Sequence, residues 1–212
     1  MRSILVVNPK GGCGKTTIAT NLASYYAVWG VPTALVDYDP QRSSLDWLEA
    51  RPERYEKITG IAGHSTHLHL PKGTQRVIYD VPARSVVEKV VKMMTHSDAV
   101  VIPVLPSPID IRAAAHFIGE FISKGHLTQR KKLVGIVANR VRENTIIYHQ
   151  LEQFLHGIDI PFVTALRDTQ NYVHAARRGV GIFEMGASQV DKDLEQWRPL
   201  INWIEGKHIR TK

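Results

Sequence analysis

The chain has 212 residues, 43% apolar and 22% charged, a globular balance with enough apolar side chain for a sizeable core. That length suits one domain over 1–212, and no apolar run nears the roughly 18 residues of a membrane span. Lys plus Arg number 27 against 20 Asp plus Glu, so the net +7 suggests an anionic partner, and the single cysteine excludes an intrachain disulfide framework.

The stretch Met1 to Asn8 lacks a signal peptide's small-residue cleavage site and reads directly as a strand, with Ile4 to Val7 at its centre. A Gly-rich loop follows, then a helical pattern from Thr16 to Trp29 stopped by Gly30. Val31 to Val36 predicts a second strand, Asp37 to Gln41 a polar turn, and Ser43 to Ala50 a helix. Over 51–76, Pro52, Gly60, Gly63, Pro71 and Gly73 break any period. Val77 to Tyr79 predicts a short strand ending at Asp80, then come a helix over Val86 to Met94 and a strand over Ala99 to Val104. A helix from Ile111 to Lys124 leads to a strand from Leu133 to Ala138. Next come a helix from Thr145 to His156, a strand over Pro161 to Thr164, and helices over Tyr172–Arg178 and Leu194–Ile204. Continuous apolar strands are buried on both faces, as in a parallel sheet covered by helices. The expected class is α/β: a doubly wound, mostly parallel sheet with helices on both faces.

The sharpest signal is Lys10-Gly11-Gly12-Cys13-Gly14-Lys15-Thr16-Thr17, between the first strand and first helix. Pro9 occupies the first Gly position of G-x-x-x-x-G-K-[ST], and K-G-G-x-G-K-[ST]-[ST], the deviant Walker A box, replaces it. Gly11, Gly12 and Gly14 allow backbone N–H groups to turn inward around phosphate oxygens, and the helix adds its positive N-terminal end. Lys15 is expected on the β- and γ-phosphates, the Thr16 hydroxyl on Mg²⁺ and Thr17 on the α-phosphate. Cys13 fills the variable position, and redox control there would require thiolate character. Val77-Ile78-Tyr79-Asp80 is an apolar strand ending in a carboxylate, the Walker B arrangement that holds Mg²⁺ through water. Asp37 and Asp39 follow the second strand, one to orient the attacking water and the other to support Mg²⁺ or the loop. A turn with a helix cap is the competing reading of this pair.

Together these motifs resemble the ParA/MinD family, and the likeness runs over nearly the whole chain. Val104 to Asp110 resembles the loop after that family's fourth main strand, and Asn139-Arg140 its adenine-contacting position. Leu166-Arg167, Ala175-Ala176 and Gly181-Ile182-Phe183-Glu184 resemble the C-terminal signature of the ParA branch. The resemblance implies an ATP-sandwich homodimer in which Lys10 crosses to the partner's phosphates and Asp39 positions the hydrolytic water. It also implies slow ATP hydrolysis, stimulated by a cargo-associated partner, that times binding to a surface.

That surface is expected to be non-specific DNA, placing the protein in the cytoplasm on the nucleoid. Basic residues are scattered through the C-terminal half: Arg130-Lys131-Lys132, Arg140, Arg142, Arg167, Arg177-Arg178, Lys207, Arg210 and Lys212. Arg177 and Arg178 are the best single candidates, with Arg167 beside them. A membrane is disfavoured, because the last helix opens with Asp191, Asp193 and Glu195, and its Leu194, Trp197, Leu200, Ile201 and Ile204 suit the core. The alternatives are a MinD-like membrane-associated positioning ATPase and a metabolic phosphoryl-transfer enzyme. A nitrogenase-reductase-like carrier fails for want of cluster cysteines. His64, His67 and His69 read as exposed positions of local strand alternation before a zinc site. Trp29, Trp47, Trp197 and Trp203 are expected in the core or an interface. With no extension before the first strand, no helix–turn–helix is expected.

Overall fold

A computed structural model describes residues 1–64, 68–83, 87–123, 133–142, 145–158 and 160–206. Its strands are β1 (Arg2–Val6), β2 (Thr33–Asp37), β3 (Thr59–Ala62), β4 (Arg76–Asp80), β5 (Ala99–Val104), β6 (Leu133–Val141) and β7 (Phe162–Arg167). All lie in one sheet of order β3-β2-β4-β1-β5-β6-β7, with every neighbouring pair parallel. The helices are α1 (Lys15–Val28), α2 (Ser43–Glu49), α3 (Val87–His96), α4 (Pro108–Ser123), α5 (Ile146–His156), α6 (Gln170–Arg177) and α7 (Ala187–Ile204). A single 3₁₀ turn, Ile182–Glu184, joins α6 to α7.

The expected doubly wound architecture is present, with strand alternation dividing its core. Ile4 and Val6 pack with Ile18 and Leu22 of α1 and Trp197 and Leu200 of α7. Leu5 and Val7 pack on the other face, with Val90 and Met94 of α3, Phe117 of α4 and Leu151 of α5. Successive side chains of one strand thus enter two cores, which is why the strands read as unbroken apolar runs. The connection from β1 runs to β2 on one side, and that from β4 runs to β5 on the other. The carboxyl ends of these two central strands therefore bound the crevice where open α/β sheets bind ligands.

The structure departs from expectation in three places. The edge strand β3 lies inside 51–76, where four residues containing a glycine carry too little periodicity to read. Helix α7 starts at Ala187 rather than Leu194, because its first turns present only Val190 to the core. Asp193 is consequently not a solvated residue of the first turn but a fully buried carboxylate. Trp197 and Trp47 are buried as expected, and Trp203 packs where a Cβ on Gly135 would collide with it. Trp29, at the end of α1, is instead 71% exposed. The run 130–132, Lys207, Arg210, Lys212 and His67 lie outside the described residues.

Arg167, at the end of β7, forks onto Asp193 through Nε and Nη2, and the Asn171 amide donates to the same carboxylate at 2.7 Å. This network locks β7, α6 and α7 together, so Arg167 has a structural partner that its sequence position did not reveal. Replacing Arg167 with Ala leaves a buried charge with one amide for company, and stability should fall by about 3 kcal/mol. Asp193→Asn in that background should recover part of the loss. Equilibrium urea unfolding measures both, and a wild-type midpoint for Arg167→Ala would refute the assignment.

Candidate nucleotide and metal site

The loop between β1 and α1 is held from below by two asparagines. Asn8 is fully buried; its amide donates to the Pro103 carbonyl at 2.6 Å and its Oδ1 accepts from Lys10 N at 2.8 Å. Asn139, at the end of β6, donates to the Cys13 carbonyl at 2.8 Å. Gly14 turns the chain at φ 90°, and a Cβ there would stand 2.1 Å from the Asn139 amide nitrogen. Glycine is needed at this position for both conformation and space. On the outer side, a Cβ on Gly11 or Gly12 would point into open space, so the loop backbone is accessible there.

Lys15 is 8% exposed, and its ammonium donates to the Lys10 carbonyl at 2.9 Å. Lys10 is partly exposed at the mouth of the loop, with no ion-pair partner among the described residues. Cys13 is buried with its thiol on the Lys10 carbonyl, and burial pushes its pKa up against the pull of Lys15. A protonated, inaccessible thiol is a poor redox sensor. Thr16 and Thr17 lie in the first turn of α1, whose unpaired N–H groups suit a bound anion.

The parallel register sets Asp37 of β2 opposite Asp80 of β4, and Asp80 opposite Val6 of β1. Asp80 is 2% exposed, lies beside the Thr16 hydroxyl, and has one oxygen, Oδ2, with no hydrogen-bond partner among the described residues. Burial, reinforced by Asp37 and Asp39, pushes its pKa up to about 7 against the pull of Thr16 and Lys15. Asp37 has no such spare capacity. Its Oδ2 accepts Ser44 N at 2.9 Å, Ser44 Oγ at 2.7 Å and Leu45 N at 3.2 Å, while Oδ1 accepts Asp39 N at 2.8 Å. It therefore caps α2 from the end of β2, as the cap reading anticipated. Asp39 is half-buried, and its Oδ1 accepts Gln41 N at 2.9 Å.

The residues fit a magnesium ion. An unsatisfied buried carboxylate oxygen beside a threonine hydroxyl is a hard donor pair. No group of three His, Cys, Asp or Glu among the described residues could hold a metal alone, so water and phosphate oxygens would complete the shell. His64 stands against the Tyr38 ring at 6.3 Å.

The remaining candidates are dispersed. Arg140 is exposed at φ 53° and lies 3.5 Å from Asp168, which also pairs with Arg142 at 2.9 Å. Arg177 and Arg178 are exposed at the end of α6 and free of ion pairs among the described residues. Two residues had no assigned role at the sequence level, Asn8 and Asp110. Asp110 is 7% exposed, bonded to the Ser107 hydroxyl, and its Oδ1 is unpartnered among the described residues. The spacing Ser107-Pro108-Ile109-Asp110 is a capping signature with Pro at N1, a legible signal for the start of α4.

A carboxyl whose folded pKa is raised stabilises the fold most below its unfolded value near pH 4, and that contribution is lost as pH rises through about 7. Comparing nucleotide-free wild type with Asp80→Asn by thermal unfolding from pH 4 to 8 isolates it. Wild type should lose stability relative to the variant as pH rises, and Mg²⁺ affinity should climb about tenfold per pH unit below 7. Parallel profiles would refute the buried acid. Gly14→Ala should abolish nucleotide binding, read by a fluorescent ATP analogue.

Comparison with known proteins agrees with this geometry. The family described as "CobQ/CobB/MinD/ParA nucleotide binding domain" matches residues 4–182. Maintenance of carboxysome distribution protein A from Halothiobacillus neapolitanus is 29% identical over 192 residues, covering 87% of this chain and 88% of that protein. The chromosome-partitioning ATPase Soj from Thermus thermophilus is 28% identical over 192 residues, covering 74% and 76%. Among solved structures, an McdA–ATP complex from Cyanothece superposes with a TM-score of 0.69 at 13% identity, covering 100% of this chain and 99% of that one. The phosphate loop, its paired carboxylates, the parallel sheet and these matches agree: the chain belongs to the CobQ/CobB/MinD/ParA nucleotide-binding family, as an ATPase of the ParA/MinD type.

Proposed function

We propose that the chain acts as one ParA-type, Mg²⁺-dependent ATPase unit that forms an ATP-sandwich homodimer, binds non-specific DNA and positions an intracellular cargo. The observation that carries this reading is the division of labour between the two loop lysines. Lys15 is turned into its own loop, whereas Lys10 stands at the mouth with its charge unpaired among the described residues. A lysine so placed can serve a second loop, making hydrolysis depend on dimerisation much as an arginine finger does. Ile109 and Ile146 are 65% and 80% exposed at the starts of α4 and α5, on the same carboxyl edge of the sheet. Apolar residues exposed around the loop suit a face covered by a second copy.

In this reading Lys15 neutralises the β- and γ-phosphates, and Thr16 with Asp80 holds the magnesium, which screens phosphate charge. Asp37 keeps the Asp39 loop in place, and Asp39 orients the attacking water. Arg177 and Arg178 supply phosphate contacts to DNA without reading sequence. A cargo-borne partner stimulates hydrolysis and releases the dimer, and the names of the relatives favour a carboxysome or chromosome as the kind of cargo. The apolar face of α7 favours DNA over membrane, because Trp197, Leu200 and Ile204 are fully buried in the core.

Binding to a random-sequence duplex with ADP, ATP or a slowly hydrolysed analogue, across a salt series, tests the proposal. Affinity should be several-fold or more higher in the ATP states than with ADP and fall steeply with salt. Equal affinity in all nucleotide states, or none at low salt, would sink the DNA reading and send the test to lipid vesicles. Asp39→Ala should lower hydrolysis by at least about 100-fold while the ATP dimer stays on DNA. A wild-type rate in that variant would remove Asp39 from its role.

A further inference from the structure

Helix α2 joins the hydrolytic loop to the basic end of α6, and both of its ends are pinned. At its N-terminus the backbone and hydroxyl of Ser44 and the backbone of Leu45 hang on Asp37, whose other oxygen holds Asp39 N. At its C-terminus the Ala50–Arg51 peptide lies so close to Gly179 that a Cβ there would stand 2.4 Å away. Gly179 has φ 63°, so both its conformation and this approach require glycine. Trp47 Nε1 donates to the Val180 carbonyl at 3.3 Å, and Arg51 Nη1 to the Gly179 carbonyl at 3.3 Å.

The contact is locked by a buried ion pair. Arg51 forks onto Glu184, and the two side chains are 6% and 2% exposed. The guanidinium also lies 5.6 Å from the Trp47 ring centroid and 5.5 Å from that of Tyr55. Glu184 accepts further from Ser24 Oγ at 3.0 Å and Gly181 N at 2.8 Å. Arg177 and Arg178, exposed and free of ion pairs among the described residues, immediately precede Gly179 in the chain. A crevice of about 300 Å³ separates α2 from α6 above this clamp, and it opens on Thr16 and Thr17.

We propose that Arg51 and Glu184 are positioning residues that make α2 a strut, so that phosphate contact at Arg177–Arg178 and the placement of Asp39 shift together. A seven-residue helix is only about 10 Å long and rigid, so displacement of its C-terminal seat reappears at Asp37. The inference rests on the DNA-binding reading above. By linkage, whatever factor the ATP state adds to DNA affinity, DNA adds to ATP affinity.

The test measures random-duplex affinity in the ATP and ADP states for wild type, Glu184→Gln and Trp47→Phe, with a fluorescent ATP analogue reporting nucleotide affinity alone. Glu184→Gln keeps an acceptor and removes the charge, and Trp47→Phe removes the bond to Val180 while keeping an aromatic ring beside Arg51, so the second variant guards against a folding effect of the first. Wild type should show an ATP-to-ADP affinity ratio of between about 5 and 150, the usual range of allosteric coupling. In both variants the ratio should fall toward one while the analogue still binds, a separation that mere loss of structure would not produce. Variants that keep the wild-type ratio overturn the strut and leave the DNA reading standing. Wild type with no nucleotide dependence overturns both.

Discussion

A carboxylate oxygen with no partner among the described residues, in a residue 2% exposed at the end of a central strand, is the constraint around which this site is arranged. Leaving such a group charged costs several kcal/mol unless a cation or donors meet it. Three features keep Asp80 in that condition. Lys15 turns its ammonium to the Lys10 carbonyl, the neighbouring Thr16 hydroxyl leaves Oδ2 unmet among the described residues, and Asp37 adds a like charge next door. The raised pKa follows from this geometry, and a divalent cation bound there would compete with a proton. A divalent cation bound there would be linked to proton release near neutral pH.

The same reasoning separates the three acidic residues that look alike in sequence. Asp37 and Asp80 face each other across the β2–β4 ladder, yet both oxygens of Asp37 accept hydrogen bonds, whereas Asp80 Oδ2 has no partner among the described residues. The difference arises because β2 runs into a short turn and a helix that needs a cap, whereas the chain after β4 continues as Val81-Pro82. Asp39, two residues past the cap, hangs from it through its own backbone N–H. Position along the turn therefore sets whether a carboxylate builds the site or works in it.

Much of this was legible in the sequence, for identifiable physical reasons. Buried parallel strands such as Ala99–Val104 are continuous apolar runs, and the phosphate loop is a local pattern in which Gly12 and Gly14 turn the chain at positive φ. What resisted reading depends on partners distant in the chain or on weak periodicity. Strand β3 is an edge of four residues whose burial alternates only between partial and none. Asp193 looked like an acidic opening to a helix because nothing nearby announces that Arg167 will reach it. The Arg51–Glu184 pair joins two surface-coloured residues that become interior only when the C-terminal segment folds over α1.

That C-terminal segment is where ion pairs accumulate. Arg51–Glu184, Arg167–Asp193 and Arg76–Glu205 each tie residues after β7 to a strand or a helix end elsewhere in the fold. Buried pairs contribute little net stability, because desolvation offsets their attraction, but losing one partner is costly. They are better at excluding alternative packings than at strengthening the chosen one. Apolar contact alone would let α6 and α7 slide over α1, since Leu, Ile and Trp surfaces tolerate small displacements. A bidentate Arg–carboxylate fork does not, because its two parallel bonds fix direction as well as distance. Three such forks around α6 and α7 set where Arg177 and Arg178 stand relative to the phosphate loop.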